Sequence, residues 1–208
     1  MVLSLLALTG TASAQLVITE VYEANGANLK YLEIHNTTNS AIDLGAGGWK
    51  ITRYTNASST GTDIGLTGSV AARDYYVIAN NATDFNTNTF GFDADQYNGN
   101  ITHTGDDEYE LRDSMDTVID AFAADHIGNT TDFSDETVAF RLLSAYPNNG
   151  DWGDSVKPAD NATSASGFWR VRHITASNAN ATTVATPGAK GGAGGDELPV
   201  ELQSFSVE

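Results

Sequence analysis

Residues 16–22 read LVITEVY and residues 30–36 read KYLEIHN, with Asn25-Gly26 between them. Successive side chains of a strand point to opposite faces. In the first run Leu16, Ile18, Glu20 and Tyr22 therefore share one face, and Val17, Thr19 and Val21 the other. In the second, Leu32 and Ile34 lie opposite Tyr31, Glu33 and His35. The pattern predicts two strands with a turn between them. If the strands pair, Glu20 and Glu33 become neighbours. Two buried like charges are costly without a cation or donors. The alternative is a pair of strand-face glutamates hydrogen-bonded to backbone or arginine.

The same alternation continues along the chain. AIDL leads through Gly45, Gly47 and Gly48 into WKITRYT, followed by DYYVIAN, EYELRD, TVIDAFA, TVAFRLL and FWRVRHI. Each run has strand length and is bounded by Gly, Asn, Asp or Pro. No long segment keeps a helical period. About seven to nine short strands separated by turn signals predict an all-β, antiparallel β-sandwich. Residues 80–100 and 144–166 read as long polar loops. No internal repeat is evident.

Composition narrows the function. The net charge is -17, which disfavours nucleic acid and anionic lipid surfaces. Absence of cysteine excludes disulfides, thiolate zinc sites and cysteine nucleophiles. The opening MVLSLLALTGTASAQ carries an apolar run from Val2 to Leu8, then Ala12-Ser13-Ala14 before Gln15. That is the h-region and A-x-A site of a secretory signal peptide. The usual basic n-region is missing, which leaves room for a start upstream of Met1. No other stretch has the length of a membrane span. The mature protein is expected to begin near Gln15 and to be extracellular or at the cell surface.

Several motifs, in order, resemble the lamin-tail domain. They include Glu20; Tyr31, Glu33 and Asn36 in KYLEIHN; Asp43 and Leu44 before Trp49; the hairpin GSVAARDYYVIAN; TGDDEYELRDSMDTVIDAF; and ATTVATPGAK. Asp116 stands where that family usually has Gly, and Lys190 where it usually has Asn. The resemblance covers residues 16–190 and implies an immunoglobulin-like sandwich. The end of the chain, DELPVELQSFSVE, resembles the "LPVELTSF" segment that opens the C-terminal region of type IX secretion cargo in Bacteroidota. There a further β-domain normally follows. Here that domain is absent from the sequence, or cut away, or the strand serves otherwise. The expected organisation is signal peptide 1–14, sandwich 15–190, glycine-rich hinge 191–197 and C-terminal strand 198–208.

Signs of chemistry are sparse. There is no H-E-x-x-H, G-x-S-x-G, P-loop or dinucleotide fingerprint. His35, His103, His126 and His173 stand far apart and read as surface or strand-face residues. Paired carboxylates could serve a glycosidase, but nothing selects a pair. No catalytic residue and no resident cofactor are expected. Asp106 and Asp107, with Glu108, Glu110 and Asp113 following, offer oxygens to calcium; the favoured alternative is a solvated turn capped by Asp106. Glycosylation has more candidates: sequons at Asn36, Asn56, Asn81, Asn100, Asn129, Asn161 and Asn180. Ser114, Thr117 and Ser155 follow Asp in the pattern that resembles a Bacteroidota O-glycosylation motif. FWRVRH is the one place where aromatics meet clustered arginines: a carbohydrate or protein contact, or a strand that hides its rings and exposes its arginines.

These readings converge on a non-catalytic, secreted structural protein. In one form, Leu198, Val200 and Leu202, with Phe205 and Val207 one step out of phase, make a strand that adds to the next molecule and builds a filament by head-to-tail self-association. In the other, the tail is a stub of a sorting region. The sandwich is then a monomeric adhesion module for surface glycans or proteins, or the accessory domain of a secreted hydrolase or nuclease.

Overall fold

A computed structural model of the chain describes residues 15–23, 28–56, 58–104, 107–122, 137–141, 165–166, 169–173, 185 and 187–188. The strands are β1 (Leu16–Glu23), β2 (Lys30–Asn36), β3 (Ile42–Asp43), β4 (Lys50–Tyr54), β5 (Gly61–Gly65), β6 (Ser69–Val70), β7 (Tyr75–Ala79), β8 (Gln96–Tyr97), β9 (Glu108–Arg112), β10 (Val118–Phe122), β11 (Thr137–Arg141), β12 (Ala165–Ser166) and β13 (Trp169–His173). One sheet runs β12-β13-β11-β1-β2-β7-β8 and the other β10-β9-β4-β5, with a small β3–β6 pair beside them. The architecture is the expected all-β sandwich. All strand pairs are antiparallel except β7 with β8.

The main core lies between the sheets. Leu32, Ile34, Tyr76 and Ile78 from one sheet meet Ile51, Tyr109, Leu111 and Phe122 from the other. Truncating a buried ring such as Phe122 to alanine would cost about 3–5 kcal/mol, from lost transfer energy and the cavity left behind. β1, β2 and β7 are buried on both faces. Their second face carries a smaller core of Tyr22, Tyr31, Val77, Ala79, Phe85 and Val138.

Strand β1 departs from the expected alternation. Ile18 pairs with Ile34, but the next pair is Glu20 with Glu33, so Thr19 is an extra residue in a bulge. A bulge shifts the side-chain parity beyond it. Leu16, Ile18 and Val21 consequently enter the inter-sheet core, while Tyr22 joins the core on the other face.

The stretch expected as a loop over 80–100 is also corrected. It holds a π-helix, Thr83–Phe90, and strand β8. Asn81 starts the helix: its Oδ1 accepts the Asp84 N–H at 2.9 Å, and its Nδ2 donates to the Asp84 carboxylate at 2.9 Å. The first of these bonds satisfies a backbone donor that a helix start leaves open, and the second holds the two side chains together. Phe85 anchors the helix against Tyr31, with ring centroids 5.6 Å apart. Gly91 closes the helix with φ 78° and donates its N–H to Asn86 O.

Candidate functional site

Glu20 and Glu33 are cross-strand partners, and both are buried. They are held by hydrogen-bond donors, but by hydroxyls as well as by the expected backbone. The Tyr31 hydroxyl donates to Glu20. Glu33 accepts from the Thr19 hydroxyl at 2.7 Å and from the Gly188 N–H at 2.7 Å. Burial first, and then the Glu20 charge, push the Glu33 carboxyl well above the usual glutamate range, against the pull of those two donors. Gly188 sits at φ 72°, a conformation that favours glycine. The T-P-G signature near the end of the sandwich is thereby tied to the glutamate of KYLEIHN, 155 residues earlier.

Most of the other buried polar groups hold the fold together. Asn36 is completely buried; its amide donates to Ser40 O and Ala71 O at 2.8 Å each, and its Oδ1 accepts the Thr38 N–H. This corrects the expectation of a glycan at Asn36: in the folded protein the amide nitrogen is inside and occupied. Asp43 accepts the Ala46 N–H at 2.8 Å and shapes the turn that delivers Trp49. Asp120 reaches from β10 across to β1 and accepts the Ile18 N–H at 2.8 Å. Glu110 pairs with Arg112 and accepts the Tyr54 hydroxyl at 2.9 Å. Asp116, in the position where Gly is usual, has φ 65°. That left-handed conformation is why glycine suits the site, and Asp is among the few residues that tolerate it.

His103 is buried, which corrects the expectation of a surface or strand-face histidine. Its Nε2 is 2.8 Å from Tyr22 O and its Nδ1 is 2.8 Å from the Tyr109 hydroxyl. A carbonyl only accepts, so Nε2 carries the proton and Nδ1 accepts from Tyr109. Burial, with Lys30 nearby, lowers its pKa to about 3. His35 is buried and stacks on Tyr75. His173 ends β13, and His126 lies outside the described residues.

Asp107 is buried; its two oxygens accept the Asn56 N–H at 3.1 Å and the Thr104 N–H at 3.3 Å. Asp106 lies outside the described residues, among which no group of three or more His, Asp or Glu is arranged to hold a metal. Of the other glycosylation candidates, Asn56, Asn100, Ser114 and Thr117 are exposed and Asn81 is half-buried in its cap. Asn129, Asn161, Asn180 and Ser155 lie outside the described residues, as do Leu198, Val200, Leu202, Phe205 and Val207 of the tail. WRVRH forms β13, between β11 and β12, and Phe168 lies outside the described residues.

One feature went unnoticed in the sequence: the edge made by β5. Its single strand neighbour among the described residues is β4. The Leu66 N–H donates to Trp49 O at 2.9 Å, which sets the phase of the ladder. Alternation then directs the backbone of Thr62 and Ile64 toward β4, and that of Gly61, Asp63 and Gly65 outward. Gly65 O is already taken by Gln96 Nε2 at 2.9 Å. Thr62, Asp63 and Gly65 are exposed, while Ile64 faces the core. The usual edge guards of proline or an outward lysine are absent from GTDIG. The one charge on the strand, Asp63, is drawn to Lys50 at 2.7 Å, which also holds Asp116.

Comparison with known families agrees with this geometry. The family described as Lamin Tail Domain matches residues 9–126, more than half of the chain. No curated protein matches. No helix among the described residues is long and apolar enough to cross a membrane.

Proposed function

The chain belongs to the lamin tail domain family, and from that premise we propose that it is an exported, non-catalytic assembly module whose C-terminal strand joins one copy to the next. The observation that carries this reading is the outer edge of β5, where the backbone groups of Gly61 and Asp63 face away from β4 and invite another strand, while Gln96 covers the end at Gly65. The alternation of Leu198, Val200 and Leu202 behind the glycines of 191–195 is the sequence pattern that would supply such a strand. The buried carboxylates Glu33, Asp107, Glu110 and Asp120 each accept a hydrogen bond that braces the fold, which supports a structural role. Removal of residues 1–14 on export would place the module outside the cell. Exposed Asn56, Asn100, Ser114 and Thr117 are the positions we propose for glycans there.

A head-to-tail contact that does not close builds a filament. Electron microscopy of the secreted protein beside a version ending at Gly195 tests the reading. Fibres from the full chain and none from the shortened one are expected. Single particles from both would overturn assembly. They would favour an adhesion module instead, for which Phe92, 44% exposed beside Asp93, is the natural contact.

A further inference from the structure

We infer that the turn at Pro187-Gly188 is a pH-controlled latch: it stays on the sheet while Glu33 holds a proton and lifts when Glu33 ionises beside Glu20. The inference goes beyond the assembly reading and holds whether or not copies join. Its basis is the way the turn meets the sheet. Ala185 is buried in the second core with Tyr31 and Val77, and Pro187 is buried after it. Gly188 lies beside Val77, and its N–H ends on Glu33 Oε2 at 2.7 Å. Glu33 is itself the partner of Val77 on one side and of Glu20 on the other. The turn therefore caps a buried pair of carboxyls. Gly188 is also the last described residue, and residues 189–208 follow it in the sequence. Among the described residues, this contact is the final tie between the chain end and the sheet.

The groups around Glu33 set the direction of the response. Glu20 and Tyr22 face it from β1, and Tyr31 and His35 share its face of β2. Tyr75 faces it from β7, and Asp95 from the segment before β8, where Asp95 accepts the Val77 N–H at 2.7 Å. All but His35 are acids, so each ionisation there adds negative charge. Among the described residues no cation forms an ion pair with Glu33. The turn acts on Glu33 in two ways. Its N–H favours the ionised form, and its cover keeps water out, which favours the protonated form. Burial is the stronger influence. Once ionised, Glu33 faces Glu20 in a site with little water. Lifting the turn hydrates the carboxylates and gives up one hydrogen bond and the cover of Ala185 and Pro187. Opening the sheet instead would expose strands buried on both faces. The turn is therefore the part that yields first.

Amide hydrogen exchange of the full chain, read by NMR from pH 5 to 8, tests the latch. Protection of the Gly188 amide, corrected for the intrinsic rise of exchange with pH, is expected to fall as pH rises, by at most about tenfold per pH unit for one proton. Glu33→Gln keeps an oxygen for Gly188 and removes the ionisation. Its protection should not change with pH, although His35, Asp95 and Glu20 remain. Glu20→Gln removes the opposing charge and should shrink the fall. The Leu32 amide, in a strand paired on both sides, should be protected more strongly than Gly188 at every pH. Constant protection of Gly188 in the wild type overturns the inference. So does a rise with pH, which would mean that the hydrogen bond outweighs the cover. An equal fall in Glu33→Gln would put the titration on another group. Equal protection of Gly188 and Leu32 would mean that the turn leaves only when the sandwich unfolds. Either result overturns the latch.

Discussion

Glu33 shows at the residue scale how a buried carboxyl is held. Its neighbours pull in opposite directions: burial and Glu20 favour the protonated form, Thr19 and Gly188 the ionised one. The net shift is upward. A carboxyl that titrates higher in the folded chain than in the unfolded one binds more protons in the native state between the two pKa values. Stability is then greatest below the ordinary glutamate pKa and is lost as pH rises through the raised value. One proton contributes a slope of at most about 1.4 kcal/mol per pH unit. His103 acts with the opposite sign. Its lowered pKa, about 3, means that its share of stability is lost as pH falls below the ordinary histidine value. Comparing Glu33→Gln with the wild type at each pH cancels the histidine. Thermal melts from pH 5 to 8 should show the Tm of the variant falling less with rising pH than that of the wild type. Parallel curves would place the titration on another group.

At the scale of elements, β1 depends on a residue from the opposite sheet. β11 pairs with β1 only from Glu20 to Glu23. At Ile18 the amide instead donates to Asp120 of β10, which links the two sheets. Asp120→Ala removes that acceptor from a buried amide and should cost about 1–3 kcal/mol. Asp120→Asn keeps an oxygen in place and should cost less. Urea unfolding of both variants decides; equal losses would mean that the hydrogen bond is not the source of the effect. This element also marks what the sequence disclosed. The faces of KYLEIHN were legible because Leu32 and Ile34 sit in an unbroken alternation. Those of LVITEVY were not, because Thr19, the bulged residue, is as fit for a regular strand as its neighbours. The helix after Asn81 hid for a related reason: its burial rests chiefly on one ring, Phe85, too little to raise a helical period. The β5 edge was hidden because strand order is a long-range property that no local pattern encodes.

For the whole molecule, the position of β11 extends the domain beyond the family match. The match ends at residue 126, yet β11 lies in the interior of the seven-stranded sheet, between β1 and β13. It pairs with β1 at Glu20, Val21, Tyr22 and Glu23, and its Val138 is buried beside Tyr22. The Gly188 N–H closes on Glu33 from still further along. A chain of residues 15–126 would therefore leave the edge of β1 unpaired and strip the cover from Tyr22 and Glu33. Both losses fall on strands that are otherwise buried on two faces, where an unpaired backbone group cannot turn to water. A chain of residues 15–190 retains β1 to β13 and the Gly188 contact. Circular dichroism melts should give a cooperative transition for 15–190 and none for 15–126. A cooperative melt of the shorter chain would show that the matched region folds alone, with β11 to β13 an addition to a complete sandwich.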